Sequence, residues 1–211
     1  MKSSKYNLLV GFFVVLIFML SNLVRADDTN LDATDPYEKI ERVTADLLVV
    51  IGNHKQGYPQ NEVDYFQALN ALLHATVDFK RISRSVMGSH FMKATPQQRS
   101  LFSEKFRQGL VETYGRGLIN YGDEEILLLD RKPLKEGQRK LTVRQEIRSD
   151  SGVFSLQYSM ARKKTGEWMV VNIIINGINL GKTFHSQFNK AAQKSAGDLD
   201  IVIAEWATQA S

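Results

Sequence analysis

The residues able to do chemistry in this 211-residue chain are few and scattered. Four histidines, His54, His74, His90 and His185, are natural metal ligands or proton carriers, but they lack the spacing of a metal site and read as surface or partly buried side chains. Glu124 and Glu125 are adjacent carboxylates, and neighbours in a strand point to opposite faces, so they read as a solvated strand start rather than an acid–base pair. Asp78, just before Phe79 and Lys80, stands where a helix cap would. There is no cysteine, hence no thiolate nucleophile, disulfide or thiolate metal site. G-x-S-x-G, Walker and H-E-x-x-H patterns are absent as well. This inventory calls for no catalysis, no metal and no cofactor.

What the sequence supplies instead is apolar surface in regular order. In "TPQQRSLFSEKFRQGLVETYGRGL", Phe102, Phe106, Leu110, Tyr114 and Leu118 recur every four residues, which gives a broad apolar strip on one long helix. Thr95 with Gln98 forms a capping box and Pro96 occupies the first turn, so the start of this helix is well marked. Beside the strip run Gly109, Thr113 and Gly117. Glycine inside a helix costs about 0.8 to 1 kcal/mol relative to alanine, and its presence predicts a close approach by another element or an acyl chain.

The elements around this helix fall into order along the chain. Lys2 and Lys5, the apolar run from Leu8 to Leu20, and "SNLVRA" predict a signal peptide over residues 1–26, cleaved after Ala26. The apolar run is shorter than the roughly 20 residues of a spanning helix. Of 27 basic residues, Lys2, Lys5 and Arg25 lie in this leader, so 24 remain against 23 acidic ones. That balance gives no basic face for nucleic acid. Residues 27–211 suit one domain.

"DATDPYEKIERVTADLLVVIGN" predicts an amphipathic helix capped by Asp35 and Pro36, with Ile40, Val43, Leu47 and Val50 inward and Gly52 as its stop. Val63, Phe66, Leu69 and Leu73 mark a second helix, and a short third begins near Val77 and ends near Gly88. From Glu124 the period changes to two. "EILLLD", "RKLTVRQEIRS", "VFSLQYSMARK" and "EWMVVNIIING" read as four strands of an antiparallel meander ending at Gly177. Leu141, Val143 and Ile147, with Phe154, Leu156, Tyr158 and Met160, fall on one face; Thr142, Arg144, Glu146 and Arg148, with Ser155, Gln157 and Ser159, fall on the other. "GKTFHSQFNKAAQ" and "DLDIVIAEWATQA" read as two closing helices. The expected fold is α+β: a curved four-stranded antiparallel sheet packed against N-terminal helices, the long central helix and C-terminal helices.

Inward positions are thus Val143, Ile147, Phe154, Leu156, Tyr158, Ile173 and Ile175 from the sheet, and Phe102, Phe106, Leu110 and Tyr114 from the long helix. Periodicity shows which face is inward but leaves open whether that space is filled core or the wall of a pocket.

The run "DFKRISRSVMGSHFMKATPQQRSLFSEKFRQGLVETYGRGLINY" (Asp78 to Tyr121), the four strands and "WMVVNIIINGINL" (Trp168 to Leu180) together resemble the MlaC family, also called the toluene-tolerance family. That family's pattern has F-D before a short helix, A-T-P-x-Q-R, F-x-x-x-F-x-x-x-L-x-x-x-Y, and later W-x-V-Y-D and E-G-V-S. This chain departs from it with Val171 for Tyr, Asn172 for Asp, Asn176 for Glu and Asn179 for Ser. The resemblance implies a periplasmic phospholipid carrier that shuttles lipids between an outer-membrane lipoprotein–porin complex and an inner-membrane ABC transporter, maintaining outer-membrane lipid asymmetry. It further implies a hydrophobic cavity between sheet and helices that holds acyl chains, with the eleven inward residues named above as its wall. At about 0.8 kcal/mol per buried methylene, an acyl chain supplies roughly 10 kcal/mol without any directional contact, which suits a site poor in polar chemistry. Lys80, Arg81 and Lys93 are charges able to attract a phosphate. Two rivals stand beside this reading: an adaptor module with a solid core and an exposed apolar patch, and an enzyme on a cone-shaped scaffold, for which the inward positions offer only Tyr158 and Tyr114.

Overall fold

The computed structural model describes residues 35–122, 124–150 and 152–206. The expected signal peptide over residues 1–26 lies outside them. Helix α1 (Pro36–Lys55) starts as expected: the Asp35 carboxylate accepts from the amides of Tyr37 and Glu38 at 2.7 and 3.4 Å, with proline in the first turn. It does not stop at Gly52. That glycine keeps ordinary helical backbone and the helix runs on to Lys55; a glycine ends a helix only where the chain turns left-handed.

Helix α2 (Glu62–Thr76) buries Tyr65 and Leu69, while Val63, an expected inward residue, is exposed. Asp78 caps α3 (Phe79–Met87) by accepting from the Arg81 amide at 3.0 Å. The one-turn α4 (His90–Lys93) leads to α5 (Pro96–Leu118), the long helix. Both halves of its capping box are formed: the Gln98 amide donates to Thr95 Oγ1 at 3.2 Å, and the Thr95 amide donates to Gln98 Oε1 at 2.9 Å.

The sheet has five strands in sequential antiparallel order, not four: β1 (Glu125–Leu129), β2 (Lys140–Ser149), β3 (Gly152–Arg162), β4 (Trp168–Ile175) and β5 (Ile178–Asn179). Gly177 ends β4, yet the chain returns at once. Asn176 and Gly177 have φ of 48° and 82°, the two consecutive left-handed residues of a tight hairpin. Register shifts between Ser159 and Met160, leaving Val171 as the extra residue of a bulge on β4. Helices α6 (Leu180–Lys194) and α7 (Leu199–Trp206) close the described chain. The result is the expected α+β architecture with one more strand.

The core among the described residues consists of three clusters. The first lies between helices, with Phe102, Phe106, Phe188, Val202 and Trp206 at its centre. In the second, Tyr37 and Ile40 of α1 pack on Val143, Met160, Trp168 and Val170 of the sheet. The third joins Ile51, Tyr65, Leu69, Val111 and Ile119 of α1, α2 and α5. Half-buried Leu73 bridges the first cluster to the third, and half-buried Val77 bridges the first to the second.

Candidate functional site

The inward residues expected from sequence divide into two groups that the fold keeps apart. Phe102 and Phe106 are fully buried in the interhelical cluster. The Phe102 ring meets Phe188 and Trp206 edge-on at 4.8 and 5.3 Å between centroids, and Phe106 meets Phe184 edge-on at 5.2 Å. Leu110 packs against the same cluster, whereas Tyr114, one turn on, is 43% exposed. The principal neighbours of α5 are α2, α3 and α7 rather than the sheet.

Of the small residues of α5 expected to admit a close approach, Gly109 is buried. Gly117 faces open space. It is Gly115 that lies under α2, where a Cβ would stand 2.9 Å from Leu69 Cδ1 and 3.0 Å from Phe66 Cε1. The Tyr65 hydroxyl donates to the Gly115 carbonyl at 2.9 Å in this seam, and burial pushes that phenol up to about 12.

The sheet group forms one continuous surface. Register sets Ile126 opposite Ile147, Ile147 opposite Phe154, Gln145 opposite Leu156, Leu156 opposite Ile175, and Val143 opposite Tyr158, which in turn faces Ile173. Side chains alternate across a strand, so all of these share the inner face. Its lower part is sealed: Val143 is fully buried, and Tyr158 and Ile173 pack on the second cluster under Tyr37 and Ile40. Its upper part differs. Ile126, Ile147, Phe154, Leu156 and Ile175 are half-buried and belong to none of the three clusters.

A polar relay marks the boundary. Tyr158 OH donates to Gln145 Oε1 at 3.0 Å, Gln145 Nε2 donates to Thr44 Oγ1 at 3.0 Å, and Thr44 donates to the Ile40 carbonyl at 2.8 Å. Gln145, absent from the expected inward set because it interrupts the apolar alternation, is buried. Burial holds the Tyr158 phenol well above its ordinary value, so it stays a neutral donor. The relay fixes α1 to the middle of the sheet and offers no nucleophile or base.

Two open clefts of about 820 and 810 Å³ follow α3 instead of the apolar sheet face. Their lining includes Lys80 and Arg81, named from sequence as possible phosphate contacts; Lys93 is exposed and outside that lining. The asparagines that depart from the family pattern serve local backbone. Asn172 Oδ1 accepts from the Gly181 amide at 3.0 Å, Asn176 Oδ1 from the Ser155 amide at 2.8 Å, and Asn179 caps α6 by accepting from the Lys182 amide at 3.1 Å. They pin the β4–β5 hairpin and the start of α6. Among the described residues no three His, Cys, Asp or Glu side chains converge on a metal-sized space, and no helix is long and apolar enough to cross a membrane.

This arrangement has known counterparts. The solved phospholipid-binding protein from Ralstonia solanacearum, determined with a phospholipid, superposes with a TM-score of 0.73 over 83% of this chain and 98% of its own, at 22% identity, and so shares the fold. Toluene tolerance protein ttg2D of Pseudomonas putida is 35% identical over 83% of this chain and 81% of its own length. The intermembrane phospholipid transport system binding protein MlaC of Haemophilus influenzae is 26% identical over 80% of this chain and 79% of its own length. A sequence model of the family described as MlaC protein matches residues 41–208. With that match spanning most of the chain, and with the motifs around Thr95 and Trp168 in place, this protein belongs to the MlaC family.

Proposed function

We propose that this protein is a periplasmic phospholipid carrier that holds acyl chains on the inner face of its sheet beyond Gln145. The observation that carries the reading is the incompletely covered inner face of the sheet. Five apolar residues on neighbouring strands of that face are half-buried and belong to none of the three clusters. Acyl chains lying against Ile126, Ile147, Phe154, Leu156 and Ile175 complete the core. The relatives named for phospholipid transport and the fold shared with a phospholipid-bound protein support this cargo. Val143, Tyr158 and Ile173 act as the floor. Phe102 and Phe106 stand in the interhelical cluster with Leu110 packed against it, and Tyr114 is exposed on the same helix.

In this reading the leader at residues 1–26 directs export and is removed. The carrier then exchanges lipid with an inner-membrane ABC transporter and an outer-membrane lipoprotein–porin complex, which set the direction of net flow. No cofactor or catalytic step is involved. α1 shifts against the sheet to admit the chains, and what holds it there is the second cluster, the Thr44–Gln145–Tyr158 relay and the ion pairs of Lys39 with Glu167 and of Arg131 with Asp35 and Glu38.

The test is to place a charge where acyl chains would lie. Ile147→Glu and Leu156→Glu are expected to abolish extraction of phospholipid from vesicles while leaving the unfolding midpoint nearly unchanged, because both positions are only half-buried. Extraction at the wild-type rate by both variants would exclude this face as the site.

A further inference from the structure

The two clefts along α3 hold a concentration of positive charge that the lipid reading does not use. Lys80, Arg81, Arg84, Arg99, Arg107 and Lys163 line them, against the acids Asp78 and Glu104. Among the described residues, Lys163 alone of these cations has an acidic partner, Glu167 at 3.0 Å. Arg99 and Arg84 are stacked over the Phe91 ring at 4.3 and 5.2 Å, and Arg99 Nε donates to the Phe91 carbonyl at 2.8 Å, which presets these guanidinium groups without neutralising them. Asp78 is engaged in capping α3.

The floor of the second cleft carries a separate signal. Ser83 is 2% exposed, lines the cleft, and among the described residues its hydroxyl has no hydrogen-bond partner; Arg107, on the facing helix α5, has a buried Nε that is likewise unpartnered among them. Buried polar groups are almost always paired, because leaving one unsatisfied costs roughly 1–3 kcal/mol. Two unpaired donors on opposing walls of one basic cleft share a common complement: an anion with several acceptor oxygens.

We propose that the cleft between α3 and α5 is a binding site for a phosphate group, contacted by Ser83, Arg107, Lys80 and Arg99 of its lining, with Arg84 of the adjoining cleft adding charge beside Arg99 on the Phe91 ring. A phosphate offers acceptors in more directions than a carboxylate and more charge to offset the local excess of cations. Its source is either a lipid head group at a membrane surface or free phosphate. The site is lined by different residues from the apolar sheet face and does not depend on the acyl-chain reading.

The experiment is an amide chemical-shift titration of the full chain with inorganic phosphate, joined to sedimentation with phosphatidylglycerol and with phosphatidylcholine vesicles. Saturable shifts confined to the amides around Ser83, Arg84, Arg99 and Arg107, with Gln145 and Leu156 unmoved, are expected. The double variant Lys80→Glu, Arg84→Glu should weaken binding by about tenfold or more while keeping any co-purified lipid. Ser83→Ala removes a hydroxyl that has no partner, so it should weaken phosphate binding without loss of stability. Sedimentation with phosphatidylglycerol vesicles that phosphate competes away assigns the site to a lipid head group; phosphate binding without vesicle binding assigns it to the free ion. Absence of saturable shifts, or equal binding by the double variant, would overturn the proposal. So would saturable binding of a polyglutamate peptide at this cleft with no response to phosphate, which would make it a dock for an acidic protein segment.

Discussion

Phe102 and Leu156 have the same standing in the sequence, each an apolar residue on an inward face, and the fold gives them different work. Phe102 is enclosed by Phe106, Phe188 and Trp206, while Leu156 is half-covered and outside every cluster. Phe102→Ala should therefore destabilise the protein by about 3–5 kcal/mol, read from urea unfolding, and any protein that remains folded should still bind lipid. Periodicity placed both residues on inward faces; the enclosure of Phe102 depends on Phe188 of α6 and Trp206 of α7, which are far away in sequence. Gln145 shows the opposite difficulty. A polar residue in an apolar alternation gave no hint that Thr44, 101 positions away, would be its partner.

At the scale of elements, local chemistry was legible wherever the cause is local. The capping box at Thr95, the Asp35 and Asp78 caps and the alternation in β2 and β3 all reappear in the structure. The Asn176–Gly177 hairpin was also there to be read, since asparagine–glycine between apolar runs favours the left-handed pair of a tight turn. Which helix covers the sheet was not legible, because four-residue spacing is silent on the partner. α1 packs on β2 and β4, α3 on β4 and α6 on β4 and β5, whereas the long helix packs on other helices. A short thiol-specific cross-link between cysteines placed at Thr44 and Gln145 is thus expected to block lipid uptake, and its reduction to restore it, in a vesicle-extraction assay; uptake unaffected by the closed link would refute the movement of α1.

The junction of α1 with the β3–β4 hairpin gives the fold a pH dependence of its own. Lys39 contacts Glu167 at 3.2 Å, and Lys163 contacts it at 3.0 Å. Burial of Lys39 outweighs the attraction of Glu167 and lowers the lysine pKa; for Glu167, burial acts upward but is outweighed by hydrogen bonds from Lys163 and Lys39, and its pKa is held below 4.5. A carboxyl with a depressed folded pKa adds stability above its unfolded value that is lost as pH falls through the folded one. Thermal unfolding should accordingly show a stability loss below about pH 4.5 that is smaller in Glu167→Gln; an identical acid profile in that variant would remove Glu167 from the account.

The described residues pack into three clusters, of which the second covers one part of the sheet's inner face and leaves Ile126, Ile147, Phe154, Leu156 and Ile175 half-buried. The proposed function accounts for its sparse chemistry, since a ligand held by methylene burial needs area, not catalytic groups. The resemblance carried by Asp78 to Tyr121 and Trp168 to Leu180 anticipated the family and the α+β fold, and strand alternation gave the inner face of the sheet. It could not divide the eleven expected wall residues between helical core and sheet surface, because that division is made by contacts between distant segments. The central claim is occupancy of the sheet surface by acyl chains. Native mass spectrometry of the protein purified from periplasm without detergent, followed by lipid extraction, tests it most directly. Near-stoichiometric adducts with the masses of phosphatidylethanolamine or phosphatidylglycerol, lost in Leu156→Glu, are the predicted result. A protein that is lipid-free and takes up no phospholipid from vesicles would contradict it.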